Sequence, residues 1–358
     1  MKQMTAAYFL KDFVMGGGPR AVRVLCQALP QIRILVYGKQ IGEMRKEFLS
    51  LSNVELRPVS GWNPVEIWRI YRELQREHVS IIHFHHLLPA FFFIPFNKIP
   101  KIITLHGLYI RKYDFVKAPL YRACRRLRVN MTLWGMQGVV VLCHEDHDYM
   151  KKVFYFSKDI NKVSVIPNVM EVKPNPEIIE LPKFEGLNLL VVARYDYPKG
   201  LDLLAEMIKT ILCMNTPPRV PFRIYLIGTE EMRELTEGTK GYMKYLGKML
   251  SPYAYMRSVD YLLLPSRWEG LPMVALEALS IGTKVIAAHT ANLNDFADGE
   301  NIVTYELGNE QDFLRVLGRA YLKKGNPVTF DISLFSPACV GKQMMELYMR
   351  HASNRQGD

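Results

Sequence analysis

Short apolar segments with strand character alternate with helical segments along the whole chain, and this alternation constrains the fold more than any other sequence feature. Repeated strand–helix alternation is typical of parallel sheets whose strands are joined by crossover helices. The pattern therefore predicts an α/β protein with two Rossmann-like sheets. We expect the strands of the first at residues 6–10, 32–37, 54–58, 81–84, 101–105, 139–142 and 163–166, and those of the second at residues 189–193, 223–227, 243–246, 261–264, 284–287 and 302–305.

An acidic, proline-containing stretch interrupts the alternation at residues 173–186 and indicates a linker between domains. The 358 residues, 49% of them hydrophobic, exceed one typical domain and suffice for two cores. We expect an N-terminal domain at residues 1–172 and a second domain at residues 187–325. A C-terminal segment, residues 326–358, contains the last helical pattern at residues 337–351.

Residues 267–282, RWEGLPMVALEALSIG, place two carboxylates eight positions apart around the start of a predicted helix. Glu269 precedes that helix, and Glu277 is expected about two turns inside it. The free N–H groups and positive dipole end of a helix start suit a phosphate. Ionised carboxylates only accept hydrogen bonds, so Glu269 suits sugar hydroxyls and Glu277 suits both ribose hydroxyls of a nucleotide. The spacing alone also fits a dipole partner and an ordinary surface glutamate.

This stretch resembles the signature of retaining glycosyltransferases of family 4, the group 1 transferases of the GT-B fold. The shared pattern is Glu269-Gly270, six further residues, and Glu277 followed by a small residue. Residues 191–204, VVARYDYPKGLDLL, look like the strand–turn–helix in which that family grips the donor diphosphate with an Arg and a Lys. FRIYLIG ending at Gly228, YLGK at residues 245–248 and VSVIPN at residues 163–168 also follow the family order.

The resemblance implies a GT-B fold, in which two Rossmann-like domains face each other across a cleft. The first domain would bind the acceptor and the second the nucleotide-sugar, and the last helix would cross back to the first. The implied reaction transfers a sugar, with retention at the anomeric carbon, to a glycan or lipid-linked glycan acceptor in cell-surface polysaccharide or lipopolysaccharide biosynthesis. Front-face substitution is the mechanism favoured for family members, and it needs no enzymic nucleophile.

The same resemblance assigns roles to individual residues. Arg194 and Lys199 would hold the diphosphate, where two fixed cations replace a metal, so no cofactor is expected. Glu277 would bind the ribose, Glu269 the donor sugar, and His106 would face the reacting sugar. The remaining predicted donor contacts are Gly17, Gly18, Gly228, Gly270 and Leu271. The chain departs from the family at Val169, which stands where many members have a glycine.

Three other motifs do not predict a cofactor or metal. The glycines at residues 16–18 precede a helix expected at residues 21–28 and lack the G-x-G-x-x-G spacing of nicotinamide-binding proteins. They form a plain tight turn or, as the resemblance implies, a loop that faces the donor. His83, His85 and His86 are not followed by a cysteine or carboxylate nearby, so no metal site is expected there. They are expected either to line the acceptor site, a role assigned to His85, or to pack in the core. Residues 146–148 spell D-x-D, the metal motif of the other glycosyltransferase fold, but the acidic run is expected to begin a helix.

Positive charge is concentrated in the first half of the chain. Residues 1–170 contain 25 Lys and Arg against 12 Asp and Glu, whereas the whole chain has a net charge of +11. This asymmetry indicates an anionic partner. No nucleic-acid-binding motif accompanies the charge, so an anionic membrane surface is preferred to nucleic acid.

The most basic segment, residues 111–128, has seven cations and one acid. If residues 117–134 are helical, an apolar stripe runs along one side and four arginines along the other, which resembles a helix lying on anionic lipid. A solvated helix packed on the core is the alternative. The stripe comprises Leu120, Cys124, Leu127, Met131 and Trp134, and the arginines are Arg122, Arg125, Arg126 and Arg128.

Five scattered cysteines without C-x-x-C spacing suggest a reducing compartment, and no apolar run is long enough to span a bilayer. We therefore expect a cytoplasmic protein, peripherally bound to the inner face of the cell membrane. Two rival functions remain open. One is a nucleotide-sugar epimerase or hydrolase of the same fold, and the other is a membrane-bound scaffold without catalysis.

Overall fold

The computed structural model describes residues 3–14, 16–107, 118–153, 162–171, 177–179, 181–182, 184–215, 218–249 and 251–353. It divides into two compact units. The first unit comprises Met1–Glu171 together with Ser333–Asp358, and the second comprises Val172–Ile332. Each contains one parallel sheet.

The first unit contains a seven-stranded parallel sheet in the order β3-β2-β1-β4-β5-β6-β7. Its strands are β1 (Thr5–Asp12), β2 (Arg33–Lys39), β3 (Val54–Pro58), β4 (Ile81–Phe84), β5 (Lys101–Thr104), β6 (Gly138–Val141) and β7 (Val163–Val165). Its helices are α1 (Gly17–Ala28), α2 (Arg45–Leu49), α3 (Pro64–Arg76), α4 (Leu87–Phe92), α5 (Pro119–Trp134), α6 (His144–Val153) and α11 (Pro337–Ser353).

The second unit contains a six-stranded parallel sheet in the order β10-β9-β8-β11-β12-β13. Its strands are β8 (Leu187–Ala193), β9 (Phe222–Gly228), β10 (Met243–Gly247), β11 (Tyr261–Leu264), β12 (Lys284–Ala288) and β13 (Ile302–Tyr305). Its helices are α7 (Leu201–Leu212), α8 (Tyr253–Arg257), α9 (Met273–Ser280) and α10 (Glu310–Leu322).

Strand β1 shows why these segments form central strands. Ala7 and Phe9 enter the core beneath α3 to α6, whereas Ala6, Tyr8 and Leu10 enter the core beneath α1, α2 and α11. Side chains alternate between the faces of a strand, so a strand buried on both faces must be apolar at successive positions. This explains the continuous apolar runs from which the strands were predicted.

Both sheets reverse their strand order beside the first strand. In the first unit the reversal lies between β1 and β4, and in the second unit it lies between β8 and β11. In open α/β sheets, ligands bind outside the carboxyl ends of the strands at such a reversal. A ligand site is therefore expected at the loops that follow β8 and β11, or at those that follow β1 and β4.

All thirteen predicted strands are present, with boundaries that differ by a few residues. Two helix predictions need correction. Helix α1 was expected to begin at Ala21 but begins at Gly17, so Gly17, Gly18 and Pro19 lie in its first turn, where proline is tolerated because these N–H groups have no intrahelical partner. Glu277 is the fifth residue of α9, about one turn inside it and not two. In the predicted linker, residues 173–176, 180 and 183 lie outside the described residues.

Candidate active site

A tight turn follows β8 at the strand reversal of the second unit and carries Lys199. The turn contains a 3₁₀ segment, Tyr197–Lys199, and ends at Gly200, which has a φ of 63° and immediately precedes α7. A Cβ atom at Gly200 would lie 2.0 Å from the Pro265 carbonyl oxygen. Only glycine allows both this left-handed conformation and this close approach. The turn is thereby held against the loop that follows β11.

Lys199 and Glu269 form an ion pair at the carboxyl ends of β8 and β11. The Lys199 Nζ atom donates to Glu269 Oε1 at 2.7 Å, and the Ser266 hydroxyl donates to the same oxygen at 2.7 Å. The Lys199 and Glu269 side chains are 27% and 12% exposed. A lysine and a carboxylate predicted to contact different parts of one donor therefore touch each other in the protein.

Two side chains from the loop after β12 fix the backbone around Glu269. The Thr290 hydroxyl donates to the Ser266 carbonyl at 2.6 Å, and the Asn292 amide donates to the Glu269 carbonyl at 2.9 Å. Asn292 is buried and adopts a φ of 56°, a left-handed conformation that asparagine tolerates well. Sequence reasoning missed Ser266, Thr290 and Asn292 because their roles depend on contacts between separate loops.

Arg194 and Gly228 stand at the ends of the neighbouring strands β8 and β9. Arg194 is exposed, and its guanidinium lies 3.4 Å from the Asp196 carboxylate. Ala193 and Gly228 pair across the two strands, and a Cβ atom at Gly228 would lie 1.8 Å from the Ala193 carbonyl oxygen. The Tyr245 hydroxyl donates to the Gly228 carbonyl at 3.1 Å. Glycine is thus required where the two strands end.

Helix α9 follows Glu269 and contains Glu277. Gly270 and Leu271 are buried in the loop before the helix, and Glu277 is buried on the helix itself. The helix begins after Pro272, which provides no side-chain cap for its first N–H groups. Uncapped N–H groups at the carboxyl edge of a parallel sheet are suited to an anion.

In the first unit, His85 and His106 lie beside each other at the ends of β4 and β5. The His85 Nδ1 and His106 Nε2 atoms are 2.9 Å apart, so one ring donates and the other accepts. Burial, together with the His83 and His106 rings, holds the pKa of His85 well below its ordinary value. Burial lowers the pKa of His106 to about 4, although the Asn168 side chain raises it. Both rings are therefore neutral at physiological pH.

Gly18 lies against His106: a Cβ atom added at Gly18 would be 3.9 Å from the His106 Cγ atom. The structure thus brings together the first turn of α1 and the two histidines. A cavity of about 20 Å³ beside them is lined in part by Thr104, Asn168 and both histidine rings, and it is far too small for a sugar.

His83 is a buried structural residue. Its Nδ1 atom lies 2.5 Å from the Tyr348 hydroxyl of α11, its Nε2 atom lies 2.7 Å from the Thr104 hydroxyl, and the Tyr348 hydroxyl lies 2.6 Å from the Tyr8 hydroxyl. This network anchors α11 to β1, β4 and β5. Burial lowers the pKa of His83 to about 3.

Helix α5 exposes its apolar stripe. Leu120, Leu127, Met131 and Trp134 are 77%, 53%, 47% and 66% exposed, and Cys124 is exposed as well. The four arginines of the helix are half-buried, with Arg125 above the Tyr121 ring and Arg128 above the Phe91 ring. The stripe itself does not pack on the core, because Asn130, Thr132 and Leu133 form the buried side of the helix. Residues 111–117 of the basic segment lie outside the described residues.

The D-x-D residues belong to a helix, as predicted: α6 begins at His144, with Glu145 and Asp146 in its first turn. Within the described part of the chain, no three or more His, Cys, Asp or Glu side chains are grouped so that they could hold a metal ion.

Solved structures share this two-sheet architecture. Sucrose-phosphate synthase from Thermosynechococcus elongatus aligns with a TM-score of 0.74 at 16% identity, over 97% of this chain and 98% of that chain. HepE from Anabaena in complex with UDP-glucose aligns with a TM-score of 0.74 at 13% identity, over 97% and 100%. The fold is therefore the GT-B fold of two Rossmann-like domains.

Two protein-family models match the chain. The model for glycosyl transferases group 1 matches residues 186–322, and the model for glycosyltransferase family 4 matches residues 15–173. This chain belongs to the group 1 glycosyltransferases of family 4.

Curated relatives match parts of the chain. The "Uncharacterized 41.2 kDa protein in cps region" of Klebsiella pneumoniae is 30% identical over 162 residues, 42% of this chain and 44% of the relative. Amylovoran biosynthesis glycosyltransferase AmsD of Erwinia amylovora is 28% identical over 178 residues, 46% of each chain. The matches thus span less than half the length of these relatives.

Proposed function

We propose that this glycosyltransferase transfers a sugar from a nucleotide diphosphate donor to a glycan or lipid-linked glycan acceptor, with retention at the anomeric carbon. The product would be a cell-surface polysaccharide or lipopolysaccharide. The observation that carries the proposal is the meeting of Lys199, Glu269 and the uncapped start of α9 at the strand reversal of the second unit. A cation and a helix start without a side-chain cap at that position suit a diphosphate.

The comparisons support the same substrate classes. HepE was solved with UDP-glucose, a lipopolysaccharide outer core galactosyltransferase shares the fold with a TM-score of 0.67, and AmsD acts in amylovoran biosynthesis. In the proposed site, Arg194 and Lys199 neutralise the leaving diphosphate, Glu277 accepts the ribose hydroxyls and Glu269 accepts from the donor sugar. His106 faces the reacting sugar as a neutral ring, and the two cations make a metal unnecessary.

A donor screen tests this proposal. UDP-, GDP- and ADP-linked sugars are added to the protein and its thermal unfolding is followed, with the free monosaccharides as controls. A donor present at 100 times its dissociation constant should stabilise the protein by about 2.7 kcal/mol. The donor found should then be consumed in the presence of a glycan acceptor. Failure of every nucleotide-sugar to stabilise the protein would refute the proposal, and rapid turnover without acceptor would favour the hydrolase or epimerase alternative.

We further propose that α5 binds the inner face of the cell membrane peripherally. Its exposed apolar stripe is flanked by four arginines, a combination that fits anionic headgroups and the acyl boundary beneath them. No helix in the described part of the chain is long and apolar enough to cross a membrane. A membrane-bound enzyme would meet a lipid-linked acceptor in two dimensions.

Cosedimentation with phosphatidylglycerol vesicles tests the membrane proposal. Each cation near the surface contributes about 1 kcal/mol, so replacing Arg122, Arg125, Arg126 and Arg128 by Gln should reduce binding sharply, as should added salt. Replacing Leu120, Leu127, Met131 and Trp134 by Ser should reduce it as well. A control with four exposed cations of the second unit replaced by Gln should bind normally: Lys209, Lys240, Arg315 and Arg319. Wild-type binding by both α5 variants would refute the membrane proposal and would show that α5 is simply exposed to solvent.

A further inference from the structure

Arg267 lies between Ser266 and Glu269 in the loop after β11 and is almost buried, with a side chain 9% exposed. Its guanidinium makes a bidentate pair with Asp202, with both nitrogen–oxygen distances 2.7 Å. The Nη1 atom also donates to the Tyr197 carbonyl at 2.7 Å, and the Arg267 backbone N–H donates to the Pro198 carbonyl at 2.8 Å. The guanidinium carbon lies 4.1 Å from the centre of the Tyr197 ring.

These contacts lie on both sides of Lys199. Tyr197 and Pro198 precede it in the 3₁₀ turn, and Asp202 follows it in the first turn of α7. Arg267 itself stands two residues before Glu269, the ion-pair partner of Lys199. One side chain therefore joins the segment that carries the lysine to the segment that carries the glutamate.

We infer that Arg267 is a positioning residue that fixes the turn carrying Lys199 for binding of the donor diphosphate. This inference rests on the proposed function, because it takes Lys199 as the diphosphate ligand. Arg267 would not need to touch the donor. It would set the position of the lysine, and of the lysine relative to Glu269, before the donor arrives.

The contacts of the Arg267 side chain with Tyr197 and Asp202, called the clamp below, require arginine. The planar guanidinium presents five donors in a rigid fork, which suits a bidentate carboxylate and a carbonyl at once, and its flat face stacks on an aromatic ring. A lysine ammonium has the same charge but lacks both the fork and the flat face. The Arg267 guanidinium also keeps the pKa of Asp202 below its ordinary value, so the carboxylate remains ionised at neutral pH.

The first test needs no ligand. Hydrogen exchange is measured at the amides of Lys199 and Gly200, which donate to the Asp196 and Tyr197 carbonyls in the turn. Arg267→Gln and Arg267→Lys should both accelerate exchange in this turn, whereas the remainder of the sheet stays protected. Arg315→Gln serves as a matched control, since it removes another arginine–aspartate pair, with Asp312, from the same unit. Unchanged exchange in both Arg267 variants would overturn the inference.

The second test is a double-mutant cycle with UDP binding measured by calorimetry. Arg267→Gln should weaken UDP binding about tenfold when Lys199 is present, and less than about twofold in the Lys199→Ala background, because its effect passes through that lysine. Equal weakening in both backgrounds would show that Arg267 contacts the ligand directly and would overturn the positioning role. A merely structural role would lower stability without this dependence on Lys199.

A second variant tests the same contacts in case Arg267→Gln does not fold. Asp202→Asn weakens the same clamp from its more exposed side, and it should reproduce the exchange and binding effects of Arg267→Gln. If wild-type protein binds no UDP, GDP or ADP, the proposed function fails, whereas the exchange measurement still decides whether Arg267 holds the turn. Normal exchange and normal UDP binding in Asp202→Asn would count against the clamp.

Discussion

Replacement of Lys199 by Ala removes the cation that pairs with Glu269 and that is proposed to hold the diphosphate. A lost hydrogen bond between charged groups costs about 1.5–3 kcal/mol. Lys199 is 27% exposed and Glu269 is 12% exposed, so solvent screening reduces this cost. We expect the free energy of unfolding to fall by about 1–2 kcal/mol, because Glu269 loses its cation while the Ser266 hydroxyl still donates to the same oxygen.

The effect of Lys199→Ala on catalysis should be larger. A fixed charge at the leaving group acts where charge develops, so kcat/KM for the donor should fall at least about 100-fold, or about 2.7 kcal/mol. The double variant Lys199→Ala/Glu269→Gln removes the unpaired carboxylate as well. It should regain most of the stability, whereas activity stays low because both the diphosphate cation and the carboxylate proposed to bind the donor sugar are missing.

The assay combines chemical unfolding with initial rates at saturating acceptor. Lys284→Met is the matched control, because Lys284 Nζ lies 2.9 Å from Glu300 Oε1 at the amino ends of the strands of the same sheet, away from the proposed site. This control should lose stability but retain kcat/KM. Full activity in Lys199→Ala, or recovery of activity together with stability in the double variant, would refute the assigned role.

Four further predictions concern other parts of the site. Arg194→Ala should lower turnover by about 100-fold or more, measured as kcat, since it removes the second cation from the diphosphate. Glu277→Gln should weaken donor binding by about 1.5–3 kcal/mol by calorimetry, and equal affinity would argue against a ribose contact. Activity should persist in EDTA, whereas abolition by EDTA and rescue by manganese would revive the D-x-D hypothesis. The pKa values of His83 and His106 are lowered to about 3 and about 4 in the folded protein, so these histidines take up protons at higher pH in the unfolded chain. Their contribution to stability should therefore be full above pH 6.5 and decline as pH falls toward 4. His83→Gln should flatten that decline, as measured by chemical unfolding.

The strands could be predicted because buried parallel strands are apolar on both faces. The start of α1 could not, since three successive glycines are typical of a loop and the helix incorporates two of them. Glycine is only modestly enriched at helix starts, so its presence does not by itself indicate where a helix begins.

The orientation of α5 was also beyond sequence reasoning. Asn130 and Thr132 are buried polar residues whose side chains donate to the Arg126 and Arg128 carbonyls within the same helix. An amphipathic pattern shows that a helix has two sides, but it does not show which side packs on the sheet when polar side chains bond locally.

The candidate site was predictable in outline only. Spacing and resemblance singled out Lys199, Glu269 and Glu277, but the partners of Lys199 and Arg267 lie 70 and 65 residues away in sequence. Those pairs depend on the register between β8 and β11, which brings their loops to the same edge of the sheet. Local spacing contains no information about that register.

The most direct test of the proposed donor site is a crystal structure of the protein with UDP, or with GDP or ADP if the donor screen selects it. We expect the diphosphate to lie within about 3 Å of Lys199 Nζ, beside Arg194 and the first turn of α9, with the ribose hydroxyls donating to Glu277. A nucleotide bound elsewhere, or one whose diphosphate contacts neither Lys199 nor Arg194, would contradict it.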